Sequence, residues 1–552
     1  MTDGASLGGD APCLEGLSRQ GDRPCIGLLP MTRKDLFQQL TTTPSFDIAI
    51  IGGGATGLGV ALEASSRGYK VVLLDSHDFA KGTSSRSTKL VHGGVRYLAQ
   101  GNFSLVREAL HERSVLLNDA PHLAQPIPFV MPSYRWWETW FYGSGLKLYD
   151  FLAGTDGLGR TEFLSSQEVM SRMPGLKPKG LHGGVQYWDG QFDDARFAIN
   201  LARTAAREGA LLINYCGVKQ LKHASGRLTN LVCEDGETGQ TYEVHASCVI
   251  NATGVWVDQL RQLDASEQGV TVTPMVAPSQ GVHLVVDRDF LPGDHALLVP
   301  KTEDGRVLFA VPWLGKVILG TTDTPRSDMP REPQAFEDEV AFILNESARY
   351  LSKPLSRSDV RSVWVGLRPL VKRTAEEDKN TKGLSREHSV SVSRSGLVTV
   401  TGGKWTTYRA MAQDVLAQCV AHQLLPASSS AANLARPSFM GARHINSPPV
   451  SLTQPQGMHL YGDEQTEVTQ LPGAHNWLAV GLNEAMVRFA VRKEYARNVE
   501  DILARRSRLL FLDANASMAV AALVAEILVE EGCEKTELNS YLSVAQGYKL
   551  PD

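Results

Sequence analysis

Residues 46–75 read FDIAIIGGGATGLGVALEASSRGYKVVLLD and predict a βαβ unit. Phe46–Ile51 is a short β-branched, apolar run, which is typical of a buried strand. The composition from Ala55 to Arg67 favours a helix, and Gly68 marks the end of that helix. Tyr69–Leu74 is a second apolar run, so we expect two neighbouring strands joined by a helix.

Three glycines and one carboxylate in this unit indicate a dinucleotide site. Gly52, Gly54 and Gly57 form a G-x-G-x-x-G motif directly after the first strand. The first glycine permits a tight turn, the second lets a pyrophosphate approach the backbone, and the third lets the helix pack against the sheet. Asp75 ends the second strand, where an acidic side chain meets the ribose. A glycine-rich turn in some other α/β sheet is the alternative interpretation.

The composition indicates a globular protein of several domains. Its 552 residues are too many for one hydrophobic core, and 43% of them are hydrophobic and 21% charged. The formal charge of −5 gives no support to a nucleic-acid partner. Seven cysteines lack metal-ligand spacing, which favours a reducing compartment and predicts no metal site. No apolar run reaches the roughly 20 residues that a membrane-spanning helix needs.

Three further segments offer contacts to a dinucleotide. The polar run 77–89 (HDFAKGTSSRSTK) places many hydrogen-bond donors on an irregular backbone, which suits a pyrophosphate or a flavin edge; a plain surface loop is the alternative. Residues 246–254 (ASCVINATG) predict a buried strand that ends in a small-residue turn. Residues 397–409 predict a strand that turns into a helix through two glycines, which places Lys404 beside backbone N–H groups at a helix N-terminus.

The spacing of apolar residues predicts most of the remaining elements. We expect helices at 103–117, 193–208 and 336–350, an edge or extended strand at 125–132, a β-rich region at 271–322 and a helical region at 475–545. Residues 1–45 are expected to be largely disordered, apart from a short helix at 32–40. In the C-terminal region, basic residues alternate with acidic ones, which predicts a solvated, ion-paired face; a membrane or partner surface is the alternative. The basic residues are Arg492, Arg497, Arg505 and Arg506.

The motifs together resemble those of the FAD-dependent glycerol-3-phosphate dehydrogenases, which belong to the amino-acid-oxidase-like flavoprotein superfamily. The resemblance covers residues 45–515 and rests on IGGGATG (51–57), GTSSRSTKLVHGGVRYL (82–98), VINATG (249–254), GLRPL (366–370) and GGKWTTYR (402–409). It implies an α/β fold with a Rossmann-like FAD-binding domain interleaved with a mixed-sheet substrate domain, plus a helical C-terminal domain. The implied division is a disordered extension at 1–45, the FAD-binding domain at 46–118, 190–255 and 390–425, the substrate or cap domain at 119–189 and 256–389, a linker at 426–450 and the helical domain at 451–552.

The resemblance also implies a reaction, in which sn-glycerol 3-phosphate is oxidised to dihydroxyacetone phosphate, FAD accepts the hydride and membrane quinone receives the electrons. The residues implied to bind FAD are Gly52, Gly54, Thr56, Gly57, Asp75, Thr83, Ser84, Ser87, Thr88, Lys89, Val218, Ala252, Gly254, Gly403 and Lys404. Those implied to bind the substrate are Arg96, Tyr97, Arg368, Lys404 and Thr406. A bidentate arginine suits phosphate oxygens, so this cation set favours a phosphorylated substrate.

The base that accepts the hydroxyl proton stays open between His283 and His92, because either imidazole can titrate in the useful range. Arg368 is a third candidate catalytic residue, since its charge can polarise the hydroxyl. Three other functions also stay open: an O₂-using glycerol-3-phosphate oxidase, a related amine oxidase, and a flavin-binding regulator without catalysis. The phosphate-type cations argue against the amine oxidase.

The aromatic stretch 134–152 (YRWWETWFYGSGLKLYDFL) predicts a surface that lies on a membrane without crossing it. Quinones dissolve in the bilayer, and tryptophan and tyrosine combine an apolar body with a polar edge. An ordinary subdomain core is the alternative interpretation. The expected location is the cytoplasmic face of a bacterial inner membrane, with the mitochondrial inner membrane as the alternative. A homodimer is the candidate assembly.

Overall fold

Two β-sheets and a helical C-terminal region make up the fold. The computed structural model describes residues 32–94, 102–266, 269–302, 305–372, 388–427, 436–442 and 448–550. The strands are β1 (Phe46–Ile51), β2 (Val71–Leu74), β3 (Leu90–Val91), β4 (Ala124–Ser133), β5 (Glu162–Ser165), β6 (Gly183–Phe192), β7 (Leu211–Ile213), β8 (Cys216–Ala224), β9 (Arg227–Asp235), β10 (Thr241–Asn251), β11 (Val276–Asp287), β12 (Ala296–Val299), β13 (Leu308–Trp313), β14 (Lys316–Gly320), β15 (Thr324–Pro325), β16 (Ser362–Val371), β17 (His388–Val392), β18 (Leu397–Gly402), β19 (Trp477–Ala479) and β20 (Leu482–Asn483). The helices are α1 (Arg33–Thr42), α2 (Ala55–Ser66), α3 (Phe103–Asp119), α4 (Glu138–Ala153), α5 (Ser166–Arg172), α6 (Asp194–Arg207), α7 (Val257–Ser266), α8 (Glu337–Tyr350), α9 (Tyr408–Ala421), α10 (Gln465–Thr469), α11 (Glu484–Lys493), α12 (Leu509–Leu512), α13 (Ala514–Glu530) and α14 (Leu538–Gln546).

The first sheet is organised around β1, and it confirms the predicted βαβ unit. β1 pairs in parallel with β2 on one side and with β10 on the other. The sheet order is β17-β18-β10-β1-β2-β7, and β8 and β9 attach to it through β10. Helices α6 and α9 lie against α2, and this layer covers one face of the sheet. The strands are therefore apolar on both faces, as the sequence predicts for parallel strands between layers.

The second sheet is mixed and has the order β15-β11-β14-β13-β12-β4-β6-β3, with β16 paired to β11 and β5 paired to β6. Strand β3 lies within the predicted FAD-binding domain but pairs with β6 in this second sheet. The chain therefore passes from the first sheet to the second directly after the 77–89 loop. The domain boundaries given above stay a prediction.

Strand β4 corrects the expectation of an edge strand at 125–132. It lies inside the second sheet, paired along its length with β6 and over two residues with β12. Pro126, Pro128 and Pro132 sit at alternate positions, so their missing N–H donors point to one side of the strand. The β12 pairing joins only Phe129 and Val130, which leaves the prolines outside it.

Within the segment 1–45, the described residues 32–45 include an ordered helix. Thr32 and Asp35 form a capping box that starts α1, which confirms the short predicted helix. Leu36 and Leu40 are buried, and the Phe37 ring stacks on Tyr242 at 4.7 Å. The helix is therefore ordered because its apolar face packs on the strands of the first sheet.

The C-terminal region is helical, as predicted, but its basic residues do not all lie on a solvated face. Arg492 pairs with Glu531 near the surface. Arg505 and Arg506, in contrast, are 2% and 3% exposed and lie inside the protein. Part of the predicted 426–450 linker is described, and there Phe439 is buried against Phe197. Among the helices that the structure describes, none is long and apolar enough to cross a membrane.

Candidate active site

A cavity of about 1480 Å³ lies between the two sheets. Its walls include the glycine turn after β1, the 77–89 loop, the end of β10, the β11 and β16 strands, and the turn before α9. Ligand pockets in proteins typically measure about 300–1,000 Å³. The cavity is thus large enough for a dinucleotide together with a small substrate.

The glycine turn has the close approaches that the sequence predicts. Gly52 has a φ of +108°, and a Cβ added there would lie 2.6 Å from the Ala252 carbonyl oxygen. A Cβ on Gly57 would lie 1.9 Å from the Gly52 carbonyl oxygen, so a glycine is needed for the helix to pack so closely. Gly54 caps α2, whose N-terminus faces the cavity, and Thr56 lines the same wall. These features fit a pyrophosphate at the helix N-terminus.

Asp75 lies at the end of β2 and lines the cavity, at the position expected for a ribose contact. Its two carboxylate oxygens accept N–H bonds from Gly53 at 2.6 Å and from His77 at 2.8 Å. Burial raises the pKa of Asp75 to about 6, although both backbone bonds and the charge of Arg331 act in the opposite direction. The carboxylate therefore has little water around it and is ready to accept ribose hydroxyl groups.

Four of the five hydroxyl residues of the 77–89 loop line the cavity: Thr83, Ser84, Ser87 and Thr88. Ser84 Oγ accepts the Ala55 N–H at 2.9 Å, and Thr83 donates to the Leu367 carbonyl at 2.7 Å. Ser87 donates to Asp194 at 2.7 Å. These bonds fix the loop against α2, β16 and α6, which argues against an unattached surface loop. Thr88 bonds to His283 and links the loop to the second sheet.

The side chain of Lys89, another predicted cofactor residue, turns away from the cavity. It is fully buried and does not line the cavity. The ammonium group donates to both Asp194 oxygens, at 2.8 and 3.0 Å, and to the Ser85 carbonyl at 2.7 Å. It also lies 4.4 Å from the centre of the Trp364 ring. The carboxylate and the rings draw the side chain inward, where its ammonium group holds the loop against α6 and β16.

The remaining predicted cofactor residues come from three different segments. Each lines the cavity: Val218 on β8, Ala252 and Gly254 in the turn after β10, and Gly403 and Lys404 before α9. The turn after β10 is closed by Asn251, whose side chain accepts from the Thr253 hydroxyl at 2.7 Å. The structure therefore brings together on one cavity the segments that the sequence singles out separately.

Arg368 lines the cavity from β16, and its guanidinium group is already oriented. One terminal nitrogen donates to the Gln280 carbonyl at 3.1 Å and to Asp323 at 3.2 Å. The other donates to Thr321 Oγ1 at 3.2 Å and to the Thr322 carbonyl at 2.9 Å. Its side chain is 24% exposed to solvent. A charged substrate thus meets a cation whose position is fixed in advance.

The other predicted substrate residues lie around the same wall where the structure describes them. Lys404 is half-buried before the short helical turn Trp405–Thr407. Thr406 is buried, and its hydroxyl donates to the His92 carbonyl at 3.4 Å. The side chains of Lys404 and Thr406 both belong to the cavity lining. Arg96 and Tyr97 lie outside the described residues.

His283 also lines the cavity, and its surroundings keep it neutral. Its Nε2 lies 2.9 Å from Thr88 Oγ1, and its ring stacks on Trp364 with 4.0 Å between the ring centres. Burial, followed by the charges of Lys89 and Arg368, holds the pKa of His283 well below its ordinary value. The imidazole is therefore neutral at pH 7 and able to accept a proton.

Arg331 is a cation near Asp75 in the cavity wall, and no motif in the sequence indicates it. Arg331, on the connection between β15 and α8, lies with its guanidinium carbon 3.7 Å from the centre of the Trp256 ring. Both residues line the cavity, and the charge of Arg331 acts on Asp75 and His77. The segment 323–334 has no regular pattern, so only the fold places this arginine beside the end of β2.

The aromatic stretch 134–152 forms α4 and the turn before it. Trp136, Trp140 and Phe151 are 77%, 68% and 80% exposed, whereas Leu146 and Tyr149 on the opposite face of the helix are buried. The first three side chains are therefore not part of a core, which was the alternative interpretation. Several residues of α4 also line the cavity: Phe141, Tyr142, Ser144, Gly145, Leu146 and Leu148.

Two family models match the chain. The FAD-dependent oxidoreductase family matches residues 47–409, and the C-terminal domain of alpha-glycerophosphate oxidase matches residues 458–533. A mitochondrial glycerol-3-phosphate dehydrogenase of Mus musculus is 40% identical over 539 residues, which cover 91% of this chain and 72% of that protein. The enzyme of the same name from Schizosaccharomyces pombe is 36% identical over 561 residues and is covered to 86%.

Solved structures agree with this assignment. The glycerol-3-phosphate dehydrogenase from Bacillus halodurans, complexed with FAD, has a TM-score of 0.72 and 26% identity, covering 95% of this chain and 98% of that chain. The L-alpha-glycerophosphate oxidase from Mycoplasma pneumoniae, with FAD bound, shares the fold at a TM-score of 0.53 and 16% identity over 71% of this chain and 100% of that chain. The chain therefore belongs to the FAD-dependent oxidoreductase family and, within it, to the glycerol-3-phosphate dehydrogenases.

Proposed function

We propose that this protein oxidises sn-glycerol 3-phosphate to dihydroxyacetone phosphate with FAD as its cofactor. The observation that carries the proposal is one cavity that joins a dinucleotide-type glycine turn to a wall bearing Arg368 and Lys404. A dinucleotide turn alone suits many substrates, whereas two cations in the same cavity favour an anionic substrate such as a phosphate ester. The names of the relatives, at 40% identity, support the same substrate.

The cofactor requires little of the protein beyond binding and orientation. The Gly52 and Gly57 contacts and the α2 N-terminus fit the pyrophosphate, and Asp75 fits a ribose. Bound FAD supplies the two-electron acceptor for the hydride that leaves the alcohol carbon. The residues of this chain must then hold the phosphate, polarise the hydroxyl and accept its proton.

For the substrate, we assign different tasks to the two described cations. The terminal nitrogens of Arg368 already donate to four acceptors, so its main contribution is a fixed positive charge near the hydroxyl. Lys404 is a flexible point charge at the start of a helical turn, where N–H groups also point at an anion. We place the phosphate at Lys404, with Thr406 beside it.

For the base, His283 is our first choice and His92 the second. A neutral His283 accepts the hydroxyl proton without first losing one, but its lowered pKa makes it a weaker base than an ordinary imidazole. Thr88 of the cofactor loop bonds to His283, and its hydroxyl can pass the proton onward. His92 also lines the cavity, and its carbonyl contact with Thr406 keeps it near the proposed phosphate site.

For the electron acceptor, we propose membrane quinone reached from a peripheral position on the bilayer. The support is the exposed aromatic face of α4, which combines Trp136, Trp140 and Phe151 with a helix wall that borders the cavity. The membrane is the inner membrane of a bacterium, at its cytoplasmic face, or that of a mitochondrion. The homodimer stays a prediction.

The deciding experiment is dye reduction by glycerol 3-phosphate in the absence of air, with glycerol as the phosphate-free comparison. We expect rapid reduction with the first and little with the second. Glycine or sarcosine as effective substrates, at rates above those with glycerol 3-phosphate, would contradict the proposal. A protein that binds FAD and is reduced by none of these compounds would instead be a regulator.

An O₂-using oxidase is the second candidate, because the match at 458–533 is to a domain of alpha-glycerophosphate oxidase. The same substrate site serves both enzymes, so only the acceptor differs. Hydrogen peroxide formed in air at the rate of dye reduction would favour the oxidase. Faster turnover with a soluble quinone, and little peroxide, would favour the dehydrogenase.

A further inference from the structure

The C-terminal region contacts the cofactor loop 77–89 at several points, and three of these contacts are ionic or charge-assisted. The Tyr495 ring also packs on Phe79 of the loop, with 5.3 Å between the ring centres. Arg505 and Arg506 both donate to the Asp78 carboxylate at the start of the loop. Glu500 accepts from Lys81 at 2.6 Å in its middle. Arg508 donates to the Ser85 carbonyl at 2.8 Å near its end. The helical region thus reaches the loop along most of its length.

The contacts of Asp78 and Arg508 lie inside the protein, away from water, whereas the Lys81–Glu500 pair is partly exposed. Asp78 and Arg508 are fully buried, and Arg505 is 2% exposed. Burial alone would raise the pKa of Asp78, but the charges of Arg506 and Arg505 outweigh it and keep that pKa below its ordinary value. A buried ion pair of this kind contributes little net stability, whereas removing one partner leaves an uncompensated buried charge.

Arg508 joins the loop to α6 as well. It donates to Asp194 at 3.2 Å, and Asp194 in turn accepts from Ser87 at 2.7 Å and from Lys89 at 2.8 Å. The Ser85 carbonyl receives two cationic donors, from Lys89 and Arg508. Removing Arg508 therefore leaves a buried carbonyl and a buried carboxylate each short of one donor.

The loop that these arginines hold is a wall of the cofactor site. Asp78, Lys81, Thr83, Ser84 and Ser87 line the cavity, whereas none of the three arginines does. We propose that Arg505, Arg506 and Arg508 are positioning residues, through which the C-terminal region keeps the 77–89 loop in the shape that retains FAD. The inference rests on the proposed use of FAD and assigns a task to the 458–533 segment.

Arg508→Met is the main test, because it removes the donors and keeps an apolar side chain of similar length. We expect FAD to leave the purified holoenzyme at least tenfold faster than from the wild type, measured by the rise in free-flavin fluorescence. Arg508→Lys restores one donor to Ser85 and should recover part of the retention. Arg492→Ala is the matched control, since it breaks a surface ion pair with Glu531 inside the C-terminal region and touches no loop residue.

Thermal unfolding of the apoproteins separates positioning from general stability. Positioning predicts that Arg508→Met loses FAD faster than Arg492→Ala does, even where the two apoproteins melt at the same temperature. Release within twofold of the wild type in a folded Arg508→Met protein overturns the inference. If Arg508→Met does not fold, Glu500→Gln is the substitute, because it weakens the contact with Lys81 at a less buried point. FAD release from Glu500→Gln at the wild-type rate would also overturn the inference. A wild-type protein that binds no FAD would contradict the proposed function itself, and this result is distinguishable from unchanged FAD release in the variants.

Discussion

Arg368→Met removes one fixed positive charge from the cavity wall and leaves an apolar side chain of similar length. In the native protein both terminal nitrogens are bonded to fixed acceptors at 2.9–3.2 Å, so the charge is in place before the substrate arrives. Loss of a charge-assisted contact in such a partly buried place costs on the order of 2 to 4 kcal/mol, or about 30- to 1,000-fold in kcat/KM. The fall should appear mainly in kcat if Arg368 polarises the hydroxyl, and mainly in KM if it only holds the phosphate.

The substitution also removes one counter-charge from Asp323, whose carboxylate accepts from Arg368 at 3.2 Å. An anion on the wall repels an anionic substrate, so part of the loss comes from Asp323. The double variant Arg368→Met/Asp323→Asn separates the two contributions. A double variant that recovers some activity assigns that part to repulsion, and the remainder belongs to the missing guanidinium.

The assay is anaerobic dye reduction over a range of glycerol 3-phosphate concentrations, with the flavin absorbance of each preparation as the control for bound cofactor. Lys404→Met should raise KM more than it lowers kcat, because we place the phosphate there. Wild-type kcat/KM, within twofold, in both Arg368→Met and Lys404→Met would show that the substrate binds elsewhere in the cavity.

Three further outcomes are expected. Ribose hydroxyl groups favour the ionised form of Asp75, whose pKa is about 6 in the free protein. The affinity for FAD should therefore fall below pH 6, by up to about tenfold per pH unit. Titration of the apoprotein with FAD measures this affinity, and Asp75→Asn should remove its pH dependence. Replacing Trp136, Trp137 and Trp140 with serine should abolish sedimentation with liposomes and lower quinone reduction, while dye reduction survives. Trp477→Ser, at another exposed tryptophan, is the control. Undiminished sedimentation of the triple variant would refute the membrane assignment. His283→Asn should slow flavin reduction in stopped flow by about 100- to 10,000-fold, with His92→Asn much closer to the wild type; the reverse order would make His92 the base.

The sequence predicts best the parts whose chemistry is local. The βαβ unit follows from two apolar runs and a glycine motif within 30 residues, and the structure confirms the pairing of β1 with β2. The 77–89 loop, the turn after β10 and the turn before α9 each have a recognisable composition, and all three meet at the cavity. A short motif fixes its own backbone shape, and parallel strands then bring their carboxyl ends to one edge.

The sequence predicts poorly what depends on contacts between distant segments. Asp78 and Arg506 are 428 positions apart, and nothing in either neighbourhood indicates that they pair. Arg331 reaches the cavity wall near Asp75 from a connection without regular pattern. The sequence also does not indicate that β3 belongs to the second sheet, because a strand of two residues has no periodicity.

Lys89 and Lys404 show why residue type alone does not assign a role. Both lie in polar, glycine-containing segments, and the resemblance implies cofactor contact for both. Lys404 lines the cavity, whereas Lys89 turns inward to the Asp194 carboxylate and the Trp364 ring. The difference comes from α6 and β16, which supply that carboxylate and that ring beneath the loop from more than 100 positions away. Because the same Asp194 also accepts from Arg508, the inward lysine belongs to the contacts that join the loop to the C-terminal region.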